Sequence, residues 1–161
     1  MGINRAQKAP DRIPGSNVSG SSNKTVLRVL EWLAALAGAI TCTIVPLLFA
    51  RPGGWDFPFP GLYFIEIALV GVSVLGYVAL RPRLYRVWDA IPWAAAGIIL
   101  AFVILGGFSI GPSLIPTLVA FLAVGILAGM QSGTLAAQRL GILLVAALAQ
   151  GATMLLATLI F

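Results

Sequence analysis

Histidine is absent from this chain, cysteine occurs once, and only five acidic side chains are spread over 161 residues. The missing histidine removes the commonest general base and the commonest metal ligand. The single thiol, Cys42, has no partner for an internal disulfide, and its apolar neighbours suit a small packed hydrophobe better than a nucleophile. No phosphate-binding loop and no cluster of metal-ligating side chains occurs along the chain. The expectation is a protein that is not an enzyme and that carries no cofactor and no metal. Polar residues of any kind are scarce. Charged residues make up 9% of the chain against 60% hydrophobic, with a mean hydropathy of +1.01. A water-soluble domain needs far more polar surface, so this chain belongs in lipid.

What the chain has in abundance is long apolar runs. Five of them, at about residues 29–50, 61–80, 90–108, 113–130 and 140–161, are each long enough to cross a hydrocarbon layer of ~30 Å as a helix rising ~1.5 Å per residue. The fold class is therefore all-α: a polytopic bundle of five transmembrane helices over residues 26–161. Residues 1–25, rich in Gly, Ser, Asn and Pro and poor in large apolar side chains, are expected to form a disordered cytoplasmic tail. The first run is too long, and its tail too extended, for a cleaved signal peptide. Two triplets, Asn17-Val18-Ser19 and Asn23-Lys24-Thr25, match a glycosylation acceptor, but the orientation below places both in the cytoplasm.

Charge sets the orientation. With the N-terminus inside, nine of the ten basic residues fall on the cytoplasmic side and only Arg51 lies outside. Trp and Tyr residues cluster near both expected interfaces, as amphipathic rings prefer. The reading is a multi-pass plasma-membrane protein, N-terminus in and C-terminus out. The net charge of +5 then reflects anchoring and orientation, and no nucleic-acid partner is expected.

Within the spans, polar groups are few enough to name. Glu66 sits five residues into the second span, ~7–8 Å from its outer end, where a carboxyl group is a candidate proton, cation or partner site. Gln150 lies near the middle of the fifth span, where its amide needs hydrogen-bond partners. Thr41, Thr43, Ser73 and Thr153 are expected to bond back to their own helices. Glu31 forms an i,i+3 pair with Arg28, and Asp89 is placed to cap the third span. Arg81, Arg83, Arg86 and Trp88 suit anionic lipid headgroups.

Small residues recur four apart at Ala34 and Gly38, Gly125 and Gly129, and Ala147 and Gly151, a spacing that gives close helix–helix contact. Pro46 is expected to bend the first helix near its outer end, while Pro92 and Pro116 fall in first turns that tolerate proline.

The segment Gly106-Gly107-Phe108-Ser109-Ile110-Gly111-Pro112, followed by Pro116 and an Ala/Leu/Val-rich helix, resembles a turn found in small polytopic bacterial membrane proteins of unassigned function. That resemblance implies a small integral protein of the bacterial inner membrane and carries no ligand or catalytic residue with it. The functional expectation is a non-catalytic accessory or scaffold subunit that packs against other transmembrane helices, its own or a partner's. The alternative is a small transporter or channel component using Glu66.

Overall fold

A computed structural model of the chain describes residues 19–49, 61–81, 86–107, 109–132 and 136–160. Among them lie five α-helices and no strand: α1 (Ser19–Phe49), α2 (Gly61–Leu80), α3 (Ile91–Leu105), α4 (Ile115–Ser132) and α5 (Ala136–Ile160). Each is long and apolar enough to cross a membrane, α3 and α4 together with short 3-10 turns that precede them at Arg86–Ala90 and Gly111–Leu114. Helices are what lipid demands, because each satisfies its backbone polar groups internally where no water can. Large apolar side chains such as Leu33, Leu69, Leu148 and Leu159 point outward from the bundle, a surface that only lipid or another apolar helix solvates well. The protein is an all-α, multi-pass membrane protein.

The helix ends differ from the expected spans in instructive ways. α1 starts at Ser19, inside the segment assigned to the tail, because a long helix once nucleated adds polar residues at little cost. Residues 1–18 lie outside the described residues. The third helix stops at Leu105, three residues early, where Gly106 bonds back to the Phe102 carbonyl and begins the turn. The fifth starts at Ala136, four residues early, which places Arg139 in the first turn of α5 instead of at a loop edge.

Four helices close a ring: α1 packs on α2 and α4, and α3 packs on both α2 and α4. α5 lies outside this ring and makes its main interface with α3. The core between the helices contains Ile67, Val74, Ile99, Leu114, Phe121 and Val124, all essentially inaccessible.

Glycines set the closeness of three of these interfaces and touch a fourth. The Phe121 ring of α4 lies against Gly38 of α1, the Trp93 indole of α3 lies against Gly125 of α4, and Ala39 and Cys42 of α1 press on Gly71 of α2. Gly97 of α3 faces the Leu143 carbonyl and Ala146 of α5 so closely that a Cβ would overlap the carbonyl oxygen. Gly129 and Gly151 have open space where a Cβ would stand. Ala34 and Ala147 are half-buried, and the Ala147 amide borders Gly97.

The hydroxyls serve the helices, as expected. Thr41, Thr43 and Thr153 donate to the carbonyls four residues earlier, at 2.9, 3.0 and 2.9 Å, and Ser73 donates to Val70 at 2.7 Å. Pro46 lies within α1, which ends three residues later.

These contacts predict opposite outcomes for one substitution at two sites. Gly97→Ala should lower stability by about 1–3 kcal/mol through overlap with α5. Gly151→Ala, in open space, should leave it unchanged or slightly raised. Unfolding in mixed micelles, followed by helical circular dichroism, measures both.

Candidate functional site

Among the described residues two polar constellations stand out, one toward each end of the bundle. The larger gathers residues from four helices and from the turn before α3, at the end where α1 begins, α2 ends and α5 begins.

It is built on α2. Tyr77 and Arg81 are four residues apart, hence on one helix face, and the Arg81 guanidinium sits 5.9 Å from the Tyr77 ring centroid. Arg81 directs Nη1 onto both oxygens of Glu31 in α1, at 2.7 and 2.5 Å, and Nη2 onto the Ala128 carbonyl of α4 at 3.2 Å. Glu31 is 1% exposed and also takes a side-chain hydrogen bond from Gln131 at the end of α4. The Tyr77 hydroxyl donates to Asp89 Oδ1 at 2.7 Å, and Asp89 Oδ2 lies 3.6 Å from Arg139 Nη2 of α5.

The result is a chain of contacts, Glu31–Arg81–Tyr77–Asp89–Arg139, with two acids and two guanidinium groups and no net charge. Helices α1, α2, α4 and α5 each contribute a partner, and the turn before α3 contributes Asp89. Buried charges are costly unless paired and hydrogen-bonded, and here they are both. The arrangement therefore acts as a staple. It commits both carboxylates and both guanidinium groups to one another.

Several residues stand elsewhere than expected. Glu31 receives the Arg81 guanidinium directly, and Arg28 acts on it only at longer range. Asp89 does not cap α3: Ala90 occupies the cap position without a side-chain bond, because the Asp89 carboxylate is committed to Tyr77 and Arg139. Arg81 is bonded to Glu31 and to the Ala128 carbonyl, while part of its guanidinium still lines a cleft at the bundle surface. Trp88 is exposed at the rim of the bundle. Arg83 and the Arg86 side chain lie outside the described residues.

The second constellation joins the two intramembrane polar residues singled out in the sequence. Gln150 of α5 is 8% exposed and faces the half-buried Glu66 carboxyl of α2, although its Nε2 makes no hydrogen bond of ordinary geometry. One turn before Glu66, Tyr63 meets the edge of Phe102 at a centroid distance of 5.8 Å. Beside it opens an apolar cavity of about 380 Å³ lined by Tyr63, Phe64, Phe102 and Met154. A carboxyl and an amide can hold a proton between them or share one cation with further oxygens. Among the described residues no three His, Cys, Asp or Glu side chains gather around a common point.

Of the first constellation, Tyr77 carried no distinguishing signal in the sequence beyond its spacing from Arg81. Its role depends on Asp89, which only the turn before α3 brings near.

Removing one partner of the Glu31–Arg81 pair strands the other as a buried charge. Glu31→Gln or Arg81→Met alone should lower stability by about 3–5 kcal/mol, while Glu31→Met combined with Arg81→Met should recover most of the loss. A double-mutant cycle of unfolding free energies in mixed micelles checks this. Additive losses would show that the pair is not coupled.

Compared with protein-family models, curated proteins and solved structures, the chain matches none.

Proposed function

We propose that this protein is a non-catalytic, helix-packing subunit of a membrane assembly, working as an accessory or self-assembling scaffold in the bacterial inner membrane. One observation carries the reading. α5 is a full-length span held mainly by α3, and most of its circumference faces outward. That outward surface combines large apolar residues, Leu144, Leu148, Leu155 and Leu159, with Gly141, where a Cβ would meet nothing within the protomer. Small residues beside large ones on a lipid-facing helix allow a second helix to approach closely. The staple at the Arg81 end of the bundle supports the same reading, because it commits Glu31, Asp89, Arg81 and Arg139 to structure.

In this proposal the N-terminus is cytoplasmic and the C-terminus outside, an orientation supported by nine of ten basic residues lying on one side. A cysteine appended after Phe161 should react with an impermeant maleimide applied to intact cells.

A second reading, a small transporter or channel component, is favoured by one observation: Glu66 and Gln150 face each other across two helices. A protomer offers only this thin polar path, so the reading requires several copies with Glu66 arranged about a common axis.

Native mass spectrometry after mild detergent extraction distinguishes these readings. A scaffold subunit should appear in complexes well above its 16.8 kDa protomer mass, and Gly141→Leu, at an exposed position where a Cβ meets nothing inside the protomer, should shift them toward that mass. A lone protomer in every detergent would refute the scaffold. Ion flux in liposomes that is unchanged by Glu66→Gln would refute the transporter.

A further inference from the structure

α1 is 31 residues long, ~46 Å at ~1.5 Å per residue, against a hydrocarbon thickness of ~30 Å. Its surplus lies at the start, where Lys24, Thr25, Leu27 and Arg28 stand beside the ends of α2 and α4. Together with Arg81, Met130 and Gln131 they line a half-open cleft of about 850 Å³. Three of its seven lining residues are cationic and none is acidic. Glu31 and Asp89, the neighbouring acids among the described residues, are already committed to Arg81 and Arg139. Lys24 and Arg28 form no ion pair among the described residues, and Arg81 retains N–H groups beyond those given to Glu31 and Ala128. The cleft therefore holds an excess of positive charge with donors already assembled.

From this we infer that the cleft binds a phosphate-bearing anion, supplied by the headgroup of an anionic phospholipid in the leaflet at the Arg81 end. Arg28 and Lys24 are the principal phosphate ligands, a guanidinium fork and an ammonium whose combined charge no neighbouring carboxylate cancels. Arg81 is a positioning residue, held at the cleft wall by Glu31, with Gln131 contributing amide donors. A lipid fits better than a soluble phosphate because the wall is not wholly polar. Leu27 and Met130 face the cleft, and Leu30, one turn beyond Leu27 on the same face of α1, is exposed and leads toward the hydrocarbon, as an acyl chain requires. The site is separate from any contact made by α5.

Native mass spectrometry of the full-length protein, titrated with phosphatidylglycerol or phosphatidylcholine, tests this directly. The expected result is retention of phosphatidylglycerol over phosphatidylcholine, weakened about tenfold by Lys24→Gln with Arg28→Gln. The charge-preserving pair Lys24→Arg with Arg28→Lys should keep the preference, and both variants should melt as the parent does because the two side chains are exposed. Equal retention of the two lipids by the parent protein would overturn the inference, as would a double Gln variant that binds like the parent. Displacement of phosphatidylglycerol by millimolar inorganic phosphate would overturn the lipid assignment and identify a soluble phosphate compound as the occupant.

Discussion

A carboxylate withdrawn from water must find a cation, and that requirement organises one end of this bundle. Glu31 is inaccessible on α1, and its charge is answered from 50 residues away by Arg81, which also reaches the backbone of α4. Through the Tyr77 ring and hydroxyl the same cluster extends to Asp89, and from there to Arg139 on α5. Apolar packing alone gives little reason for one helix arrangement over another in lipid, since a hydrocarbon tail solvates leucine as well as a neighbouring helix does. Directional charge pairs supply that choice. With α1, α2 and α4 joined at Arg81, the ring of four helices has its neighbours specified, and the glycine contacts then determine how near they come.

The spans were legible because hydropathy is a local property: each window carries its own signal wherever its neighbours lie. Helix ends were less so. Polar residues 19–25 join α1 because helix propagation extends past the lipid boundary, and Arg139 enters α5 for the same reason. The pairing of Glu31 with Arg81 was not legible, since a nearer arginine at i,i+3 offers an equally sound local partner. Asp89 misled in the same way. An acid directly before a helix reads as a cap, and only the tertiary approach of Tyr77 and Arg139 diverts it. Gly38 and Gly125 were found by their spacing. Gly97 has Ala101 four residues on and was open to the same argument, whereas Gly71 has Ile67 and Leu75 at those positions and gave no such sign.

The two constellations differ in what they leave unspent. At the Arg81 end the acids and guanidinium groups of the cluster cancel, while Lys24 and Arg28 on the rim of α1 form no ion pair among the described residues. At the other end Glu66 has an amide for company but no cation among the described residues. That asymmetry, a satisfied cluster under one surface and an unbalanced carboxyl under the other, is what the proposed assembly has to account for. The exposed length of α5 bears on the same proposal, because it leaves a complete span with more surface than its partners cover.

The peripheral position of α5 also bears on the order in which the chain is made. Spans emerge from the ribosome in sequence, so Arg81 meets a Glu31 that is already present, and the first hairpin can enter the membrane as an electrically balanced unit. Asp89 has no such luck: its guanidinium partner arrives only with α5. The Asp89 carboxylate thus waits for its guanidinium until α5 has been made, and docking of that helix supplies it.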